Sequence, residues 1–171
     1  QSKVNKVFSN VALKYDKMND FMSFYQHRIW KNQFVNRLNP KYNQKFLDIA
    51  GGTGDISFRI ADKMATDWIQ NSQEGFFKIG KNNRIVVSDI NSEMISVGKT
   101  RAHACGINGM EWLVSDANAI PIDSNTFDAA TISFGLRNCP EPDKVLVEAL
   151  RVLKPGGHFM CLEFSNVENF I

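Results

Sequence analysis

The stretch LDIAGGTGD, Leu47 to Asp55, decides how the rest of the chain is read. It opens as a buried strand with Asp48 inside it, then sets Gly51, Gly52 and Gly54 in a turn. Without side chains, such a turn lets the backbone approach a ligand and adopt positive φ. Alone the signal is weak, because glycines also serve ordinary tight turns.

Two acids further along the chain raise its value. VVSDIN ends a second apolar run in Asp89, the place from which a carboxylate accepts both hydroxyls of a ribose in a doubly wound sheet. SDANAIP ends a third, where Asp116 can accept from an adenine amino group while the Ala117 backbone meets a ring nitrogen. Each acid has a plain alternative as a helix N-cap. Together they put a glycine turn, a ribose acid and an adenine acid on the edge where open α/β sheets bind ligands.

The nucleoside can be narrowed further. Dinucleotide folds use G-x-G-x-x-G, whose turn receives a pyrophosphate. Here the third glycine is absent, and Asp55 sets a negative charge where a pyrophosphate would arrive. A cofactor bearing a cation suits that turn better, which favours S-adenosylmethionine over NAD.

Outward from this turn the chain alternates strand and helix. Strands are predicted at Lys45 to Ala50, Arg84 to Asp89, Met110 to Asp116, Phe127 to Phe134 and His158 to Phe164, all short apolar runs. Between them GDISFRIADKMATDWI, SEMISVGKTRAHACG and PDKVLVEALRVLKPGG carry apolar residues at helical spacing, the last two closing on a capping glycine. The expected fold is α/β: a Rossmann-like, mostly parallel twisted sheet with helices on both faces. Residues 1–44 read as an N-terminal helical lid, with Val7, Val11, Tyr15 and Met18 near one face and Ile29, Phe34 and Leu38 later. Residues 45–171 read as the cofactor-binding core, and Asp67 to Asn83 as a surface insertion in the first crossover.

Bulk properties exclude several classes. With 171 residues, 43% hydrophobic and 22% charged, the chain has enough apolar residues for one core, and disorder is excluded. A formal charge of +2, with basic and acidic residues interleaved, gives no basic stripe for nucleic acid. Cys105, Cys139 and Cys161, and His27, His103 and His158, lack metal-ligand spacing, so no metal is expected. No apolar run has the length of a membrane span and no signal peptide is read, so a soluble protein is expected. The opening QSKVNKVFSN fits what remains after removal of a targeting segment.

VFSNVALKYDKMND, HRIWK, LDIAGGTGDI, SDIN, DANAIP, FDAATISFGLRN, and RVLKPGG followed by LEFS together resemble the ubiquinone and menaquinone biosynthesis C-methyltransferase family, from Val7 to Ser165. YDKMND and SFGLRN are its most discriminating pieces. The resemblance implies methyl transfer from S-adenosylmethionine to a ring carbon of a polyprenylated benzoquinol or naphthoquinol, with ubiquinone biosynthesis as the expected setting. It implies that Thr53, Asp89, Asp116, Ala117 and Ser133 contact the cofactor, with Thr53 and Gly51 facing its methionine moiety.

On the same reading Arg137 lines the acceptor pocket. A fixed guanidinium can stabilise developing oxyanion charge or activate a water, and Asn138 and Tyr15 would orient the water or the quinol oxygen. The plainer role for Arg137 is an ion pair with Glu141 or Asp143, and Gly135 and Asn138 suggest an unusual backbone around it. His27 is a second candidate base, Asp16 and Asp20 are expected to fix the lid, and Met18, Phe21, Met22, Phe24 and Trp30 could line a channel for the isoprenoid tail. Expected partners are the quinol, other quinone-biosynthesis enzymes, a peripheral membrane contact and a second copy in a homodimer. The expected location is the matrix side of the mitochondrial inner membrane, with bacterial cytoplasm as the alternative.

Two departures stand out. Tyr25 holds a place where the family has Gly, and the family continues past the fifth strand with two more strands and a helical insert, whereas this chain stops at NVENFI. HFMCLEF would then lie on an open sheet edge. The competing functions are a nicotinamide dehydrogenase, a nucleic-acid methyltransferase, which would want an Asn/Asp-Pro-Pro-aromatic tetrad where SFGLRN stands, and a non-catalytic scaffold in a quinone-biosynthesis complex.

Overall fold

A computed structural model describes residues 26–72, 77–80 and 83–164. Its frame is one sheet of five parallel strands, β1 (Lys45–Ile49), β2 (Arg84–Asp89), β3 (Glu111–Val114), β4 (Phe127–Ser133) and β5 (Leu153–Leu162), in the order β3-β2-β1-β4-β5. The order reverses between β1 and β4, and this switch point leaves a crevice beyond the strands' C-terminal ends.

Both faces of the sheet are covered, which is why its central strands are largely apolar. Phe46, Ile85, Val87 and Ala129 point to one face. There they meet helix α1 (Gln26–Leu38) through Phe34 and Val35, α2 (Asp55–Asn71) through Ile56, Ile60 and Met64, and α3 (Ser92–Ala104) through Ile95. Leu47, Ile49, Val86, Ala130 and Ile132 alternate to the other face, against Val145, Ala149 and Val152 of α4 (Pro142–Val152) and Ile120 of the β3–β4 connection. α1, the described part of the predicted lid, thus enters the main core. Phe34 is buried and Leu38, one turn on, packs beside it, but Ile29 is exposed because five residues carry it off that face.

The strands fall on the predicted runs, and the main departures are the α4–β5 boundary and the end of α2. α3 does close on a glycine: Gly106 has φ 70°, with Ile107 N bonding Ala102 O and Gly106 N bonding His103 O. α4 does not. It ends at Val152 with Leu153 already extended, so Gly156 and Gly157 belong to β5, which begins five residues before the predicted His158. Pro155 explains this, since it offers no N–H to a helix and pushes the preceding residue out of the α region. The insertion is also shorter than expected, because α2 continues through Asn71. β5 lies at the sheet edge, pairing with β4 alone among the described residues. No helix among the described residues is long and apolar enough to cross a membrane.

Candidate active site

The glycine turn is built by crowding as much as by flexibility. Gly52 (φ 56°) and Gly54 (φ 83°) are left-handed as expected, but the third left-handed residue is Ala50 (φ 50°) and not Gly51. Gly51 is required for a different reason: a Cβ there would lie 2.8 Å from Val87 Cγ1 and 2.9 Å from the Asp48 carboxyl carbon. The bend hangs on β2 through Gly51 N to Ser88 O at 3.0 Å. Ala50 and Phe134 (φ 55°), at the ends of the two switch-point strands, both hold a backbone conformation that is costly for residues with side chains.

Asp48 works from beneath. It is fully buried, and its carboxylate accepts from Ser57 Oγ and Thr131 Oγ1, each at 2.9 Å, so it ties β1 to α2 and β4 under the bend. Burial pushes its pKa up to about 6; the two hydroxyls pull it down and the Asp55 charge adds to the rise. Ser57 stands where a dinucleotide fold has its third glycine, and its hydroxyl is spent on Asp48.

Asp55 corrects one step of the sequence reasoning. It pairs with Lys31 Nζ at 2.8 Å and Arg59 Nη2 at 3.4 Å. Burial would raise its pKa, but Lys31, Arg59 and Arg101 together hold it below the ordinary carboxylate range. Its charge is balanced on the α1 side and is not a free repulsive group at the bend. The case against a pyrophosphate rests on Ser57.

Asp89 reaches across from β2, with Oδ2 accepting from Gly52 N and Oδ1 from Asn91 N, both at 2.8 Å. The α3 N-cap is Asn91, whose side chain accepts from Glu93 N and Met94 N, so Asp89 is not the cap. A carboxylate offers about four acceptor positions, and two remain for ligand hydroxyls. Asp116 accepts from Asn118 N at 2.8 Å and is followed by a turn, not a helix, so it too is no cap. Ala117, next to it, packs against the second core cluster.

Asp89 and Asp116 stand at or just past the C-terminal ends of the neighbouring parallel strands β2 and β3, so they share one edge. Burial raises the Cys139 thiol pKa first, and the charges of Asp116, Asp89 and Glu163 each raise it further. The same edge has polar atoms that lack partners: Ser133 Oγ and Asn118 Oδ1 are both buried without a hydrogen bond. Such orphans are rare in native proteins, and here they are available to an adenosyl ligand. Thr53 is buried at 8% exposure within the bend. Two acids with spare acceptor positions, two orphaned polar atoms and a close-packed glycine turn fit S-adenosylmethionine.

Arg137 and Asn138 lie in a 3₁₀ turn, Leu136–Asn138, beyond β4. Arg137 pairs with neither Glu141, which bonds Lys144, nor Asp143; its Nη1 lies 3.5 Å from Glu163 Oε2. Its guanidinium sits over Phe164 at 4.9 Å and Phe134 at 5.9 Å, and those rings stack at 4.8 Å. Asn138 Nδ2 reaches only Phe134 O, at 3.5 Å. The left-handed residue of this turn is Phe134; Gly135 has φ −110° and is needed because a Cβ would meet Ala50 Cβ at 2.8 Å. Trp30 packs edge-on against Phe164 at 5.8 Å, and His27 is buried in the packing of α1. Tyr15, Asp16, Met18, Asp20, Phe21, Met22, Phe24 and Tyr25 lie outside the described residues.

Sequence reasoning missed Glu163, Phe134, Phe164 and Cys139. Glu163 carried a usable signal, an acid one step past an apolar strand, the same signal that marked Asp89 and Asp116. Among the described residues, clefts of about 620 Å³ beside Phe77, Ile79, Ile107 and Gly109, about 520 Å³ beside Trp30, Phe34, Met160 and Leu162, and about 500 Å³ beside Asp55, Arg59, Lys63 and Arg101 are lined by none of Asp89, Asp116, Ser133 and Arg137.

Comparison with known proteins agrees with this geometry. A SAM dependent methyltransferase from Aquifex aeolicus superposes with a TM-score of 0.65 at 21% identity, over 82% of this chain and 67% of that one, which establishes the fold. Over 99% of its length the chain is 46% identical to the mitochondrial 2-methoxy-6-polyprenyl-1,4-benzoquinol methylase of Caenorhabditis elegans, covering 55% of that protein. Over 98% of its length it is 47% identical to the ubiquinone/menaquinone biosynthesis C-methyltransferase UbiE of Bartonella quintana, covering 60%. The chain therefore spans little more than half the length of these relatives. The ubiE/COQ5 methyltransferase family model matches residues 1–171, and the chain belongs to that family of S-adenosylmethionine-dependent enzymes.

Proposed function

We propose that the protein containing this chain transfers a methyl group from S-adenosylmethionine to a ring carbon of a polyprenylated benzoquinol in ubiquinone biosynthesis. The observation that carries the reading is a juxtaposition on one sheet edge. Asp89, Asp116 and the orphaned Ser133 hydroxyl share the strand-end edge with a guanidinium held over two stacked phenyl rings. The names of the nematode and bacterial relatives support the substrate class.

When bound, the cofactor supplies an electrophilic methyl on a sulfonium. Asp89 would take the ribose hydroxyls, Asp116 and the Ala117 backbone the adenine, and Gly51, Thr53 and Ser133 the methionine end. A quinol ring carbon is made nucleophilic as its hydroxyl loses a proton. Arg137 would stabilise the charge left on that oxygen, a cation brought beside developing oxyanion charge being suited to this, with Asn138 and Tyr15 orienting the oxygen or a water. Arginine is itself no proton acceptor. The nematode relative's name supports a mitochondrial location and the lipid character of the acceptor a peripheral membrane contact; the matrix side of the inner membrane and association with other quinone-biosynthesis enzymes or a second copy belong to the same proposal.

The test uses the full-length protein. Calorimetric titration should show binding of S-adenosylmethionine and none of NAD, and labelled methyl should appear on the ring of a short-tailed quinol. Preference for NAD would sink the methyltransferase reading. Cofactor binding without transfer to any quinol would leave a scaffold.

A further inference from the structure

The reaction needs a group that takes the hydroxyl proton, and we propose that Glu163 is that group. The assignment rests on the quinol reading above. Glu163 follows β5 directly, and its neighbour Leu162 pairs with Ser133 at the end of β4. Its Oε1 accepts from Arg137 N at 3.4 Å, while Oε2 is buried and, among the described residues, has no hydrogen bond; it lies 3.5 Å from Arg137 Nη1. Asp48, Asp89 and Asp116, in contrast, receive donors at 2.8–2.9 Å. A buried carboxylate oxygen with no donor is costly to hold, and it has a free lone pair for an incoming O–H.

Its surroundings suit an aromatic acceptor. Phe134 and Phe164 stack at 4.8 Å, Trp30 packs edge-on against Phe164, and Arg137, the ion-pair partner of Glu163, lies over both phenyl rings. Among the described residues, the charged and titratable groups facing the cluster are Arg137 from the 3₁₀ turn, Lys31 from α1 at 6.0 Å from the Phe134 ring, Cys139, and Cys161 on β5. Glu163 lies just past the end of β5, on the same C-terminal strand edge as Asp89 and Asp116.

The step balances. As the ring carbon's electron pair forms the new bond to the methyl carbon, the methyl–sulfur bond breaks and its pair stays on sulfur. The hydroxyl proton passes to Glu163 Oε2. The ring carbon then loses its own hydrogen as a proton to solvent, restoring the aromatic ring, and Glu163 returns its proton to the oxygen. One proton is released overall. A carboxylate is a weaker base than a phenolate, so the transfer is efficient only while charge drains from oxygen into the ring, which places Glu163 and Arg137 in one concerted step.

The experiment compares wild type, E163Q, E163D, R137Q and the E163Q/R137Q double variant in the full-length protein, measuring cofactor affinity by calorimetry and kcat on a reduced short-tailed quinol from about pH 6 to 9. E163Q is expected to keep cofactor affinity within about twofold and lose roughly 10²–10⁴ in kcat. Its residual rate should climb with pH as hydroxide replaces the lost base, and E163D should recover part of the loss. The assignment is overturned if E163Q turns over within about threefold of wild type. It is also overturned if the pH profile is unchanged and the double variant is no slower than R137Q, since Glu163 would then merely position Arg137. No transfer by the wild type would overturn the quinol reading itself, and the assignment with it.

Discussion

The two halves of the strand-end edge are held in different ways. On the β1-β2-β3 side the acids are fixed by short bonds, largely from backbone N–H: Gly52 and Asn91 to Asp89 and Asn118 to Asp116, all at 2.8 Å, with Asp48 clamped below at 2.9 Å. On the β4-β5 side the groups meet at long range. Arg137 lies 3.5 Å from Glu163, Asn138 reaches Phe134 O at 3.5 Å, and the guanidinium, nearly half exposed, rests on phenyl faces. Short bonds to charged acceptors fix a shape in advance of the ligand. Long contacts of a half-exposed guanidinium contribute little stability and leave that side chain free to turn toward a substrate. The first side is preorganised for a constant ligand, the second adjustable around a reacting one.

The largest effect that could break this contrast is at Arg137. R137Q removes a charge from the adjustable side, and kcat for quinol methylation should fall by about 10²–10³, as when an oxyanion donor is lost. Cofactor affinity should stay within about twofold and stability should barely change. Parallel loss of cofactor binding and turnover, by calorimetry and methyl transfer, would mean that the two halves are one rigid site.

D48N comes next and probes what preorganisation costs. Burial raises the Asp48 pKa to about 6 from 3.8. The folded state therefore holds its proton to higher pH than the unfolded chain, and stability declines as pH rises from about 4 through 6, then levels. The decline attributable to Asp48 is up to about 3 kcal/mol. Asn is isosteric and does not ionise, and it can still accept from Thr131 and donate to Ser57. Urea midpoints at pH 4.5 and 7.5 should converge in D48N. An unchanged difference between the two pH values would place the titration elsewhere.

The same contrast separates features that a linear sequence displays from those it hides. The sheet was legible because a parallel strand buried on both faces is an apolar run, and each cofactor acid ends such a run. Helix ends were less legible where one residue overrides a pattern: the apolar spacing of α4 runs on into Leu153, and only Pro155 stops it. Pairings across the fold were not legible at all. Lys31 neutralises Asp55 from 24 residues away, and Glu163 takes Arg137 from 26 away, where Glu141 and Asp143 were nearer in sequence. Nor does composition single out Phe134, a bulky residue in a left-handed conformation, beside a glycine that takes an ordinary one.

D89N ranks third. Asn keeps one acceptor but turns an amide N–H toward either the Gly52 or the Asn91 donor, so one of two bonds is lost, and a ribose hydroxyl meets a weaker partner. Hydrogen bonds to charged groups contribute about 1.5–3 kcal/mol, so affinity for S-adenosylmethionine should drop roughly 10- to 100-fold in calorimetry, with kcat at saturating cofactor largely retained. Equal affinity in D89N and wild type would remove Asp89 from the cofactor site.

The smallest effect separates scaffold from site within the preorganised half. Asn91 and Asp89 stand two residues apart, and either residue type can cap a helix, but only Asn91 accepts from the first turn of α3, at 2.9 Å from Glu93 N and 3.2 Å from Met94 N. N91A should cost about 1 kcal/mol of stability, the usual loss when a cap is removed. The Asn91 backbone N–H survives the substitution and still donates to Asp89, so cofactor affinity should stay within about twofold. Thermal melts and calorimetry on N91A and D89N would then show opposite patterns, stability lost in one and affinity in the other. If N91A weakens the cofactor as much as D89N does, the bend and the α3 cap form one unit, and the division of labour between these neighbouring side chains is wrong.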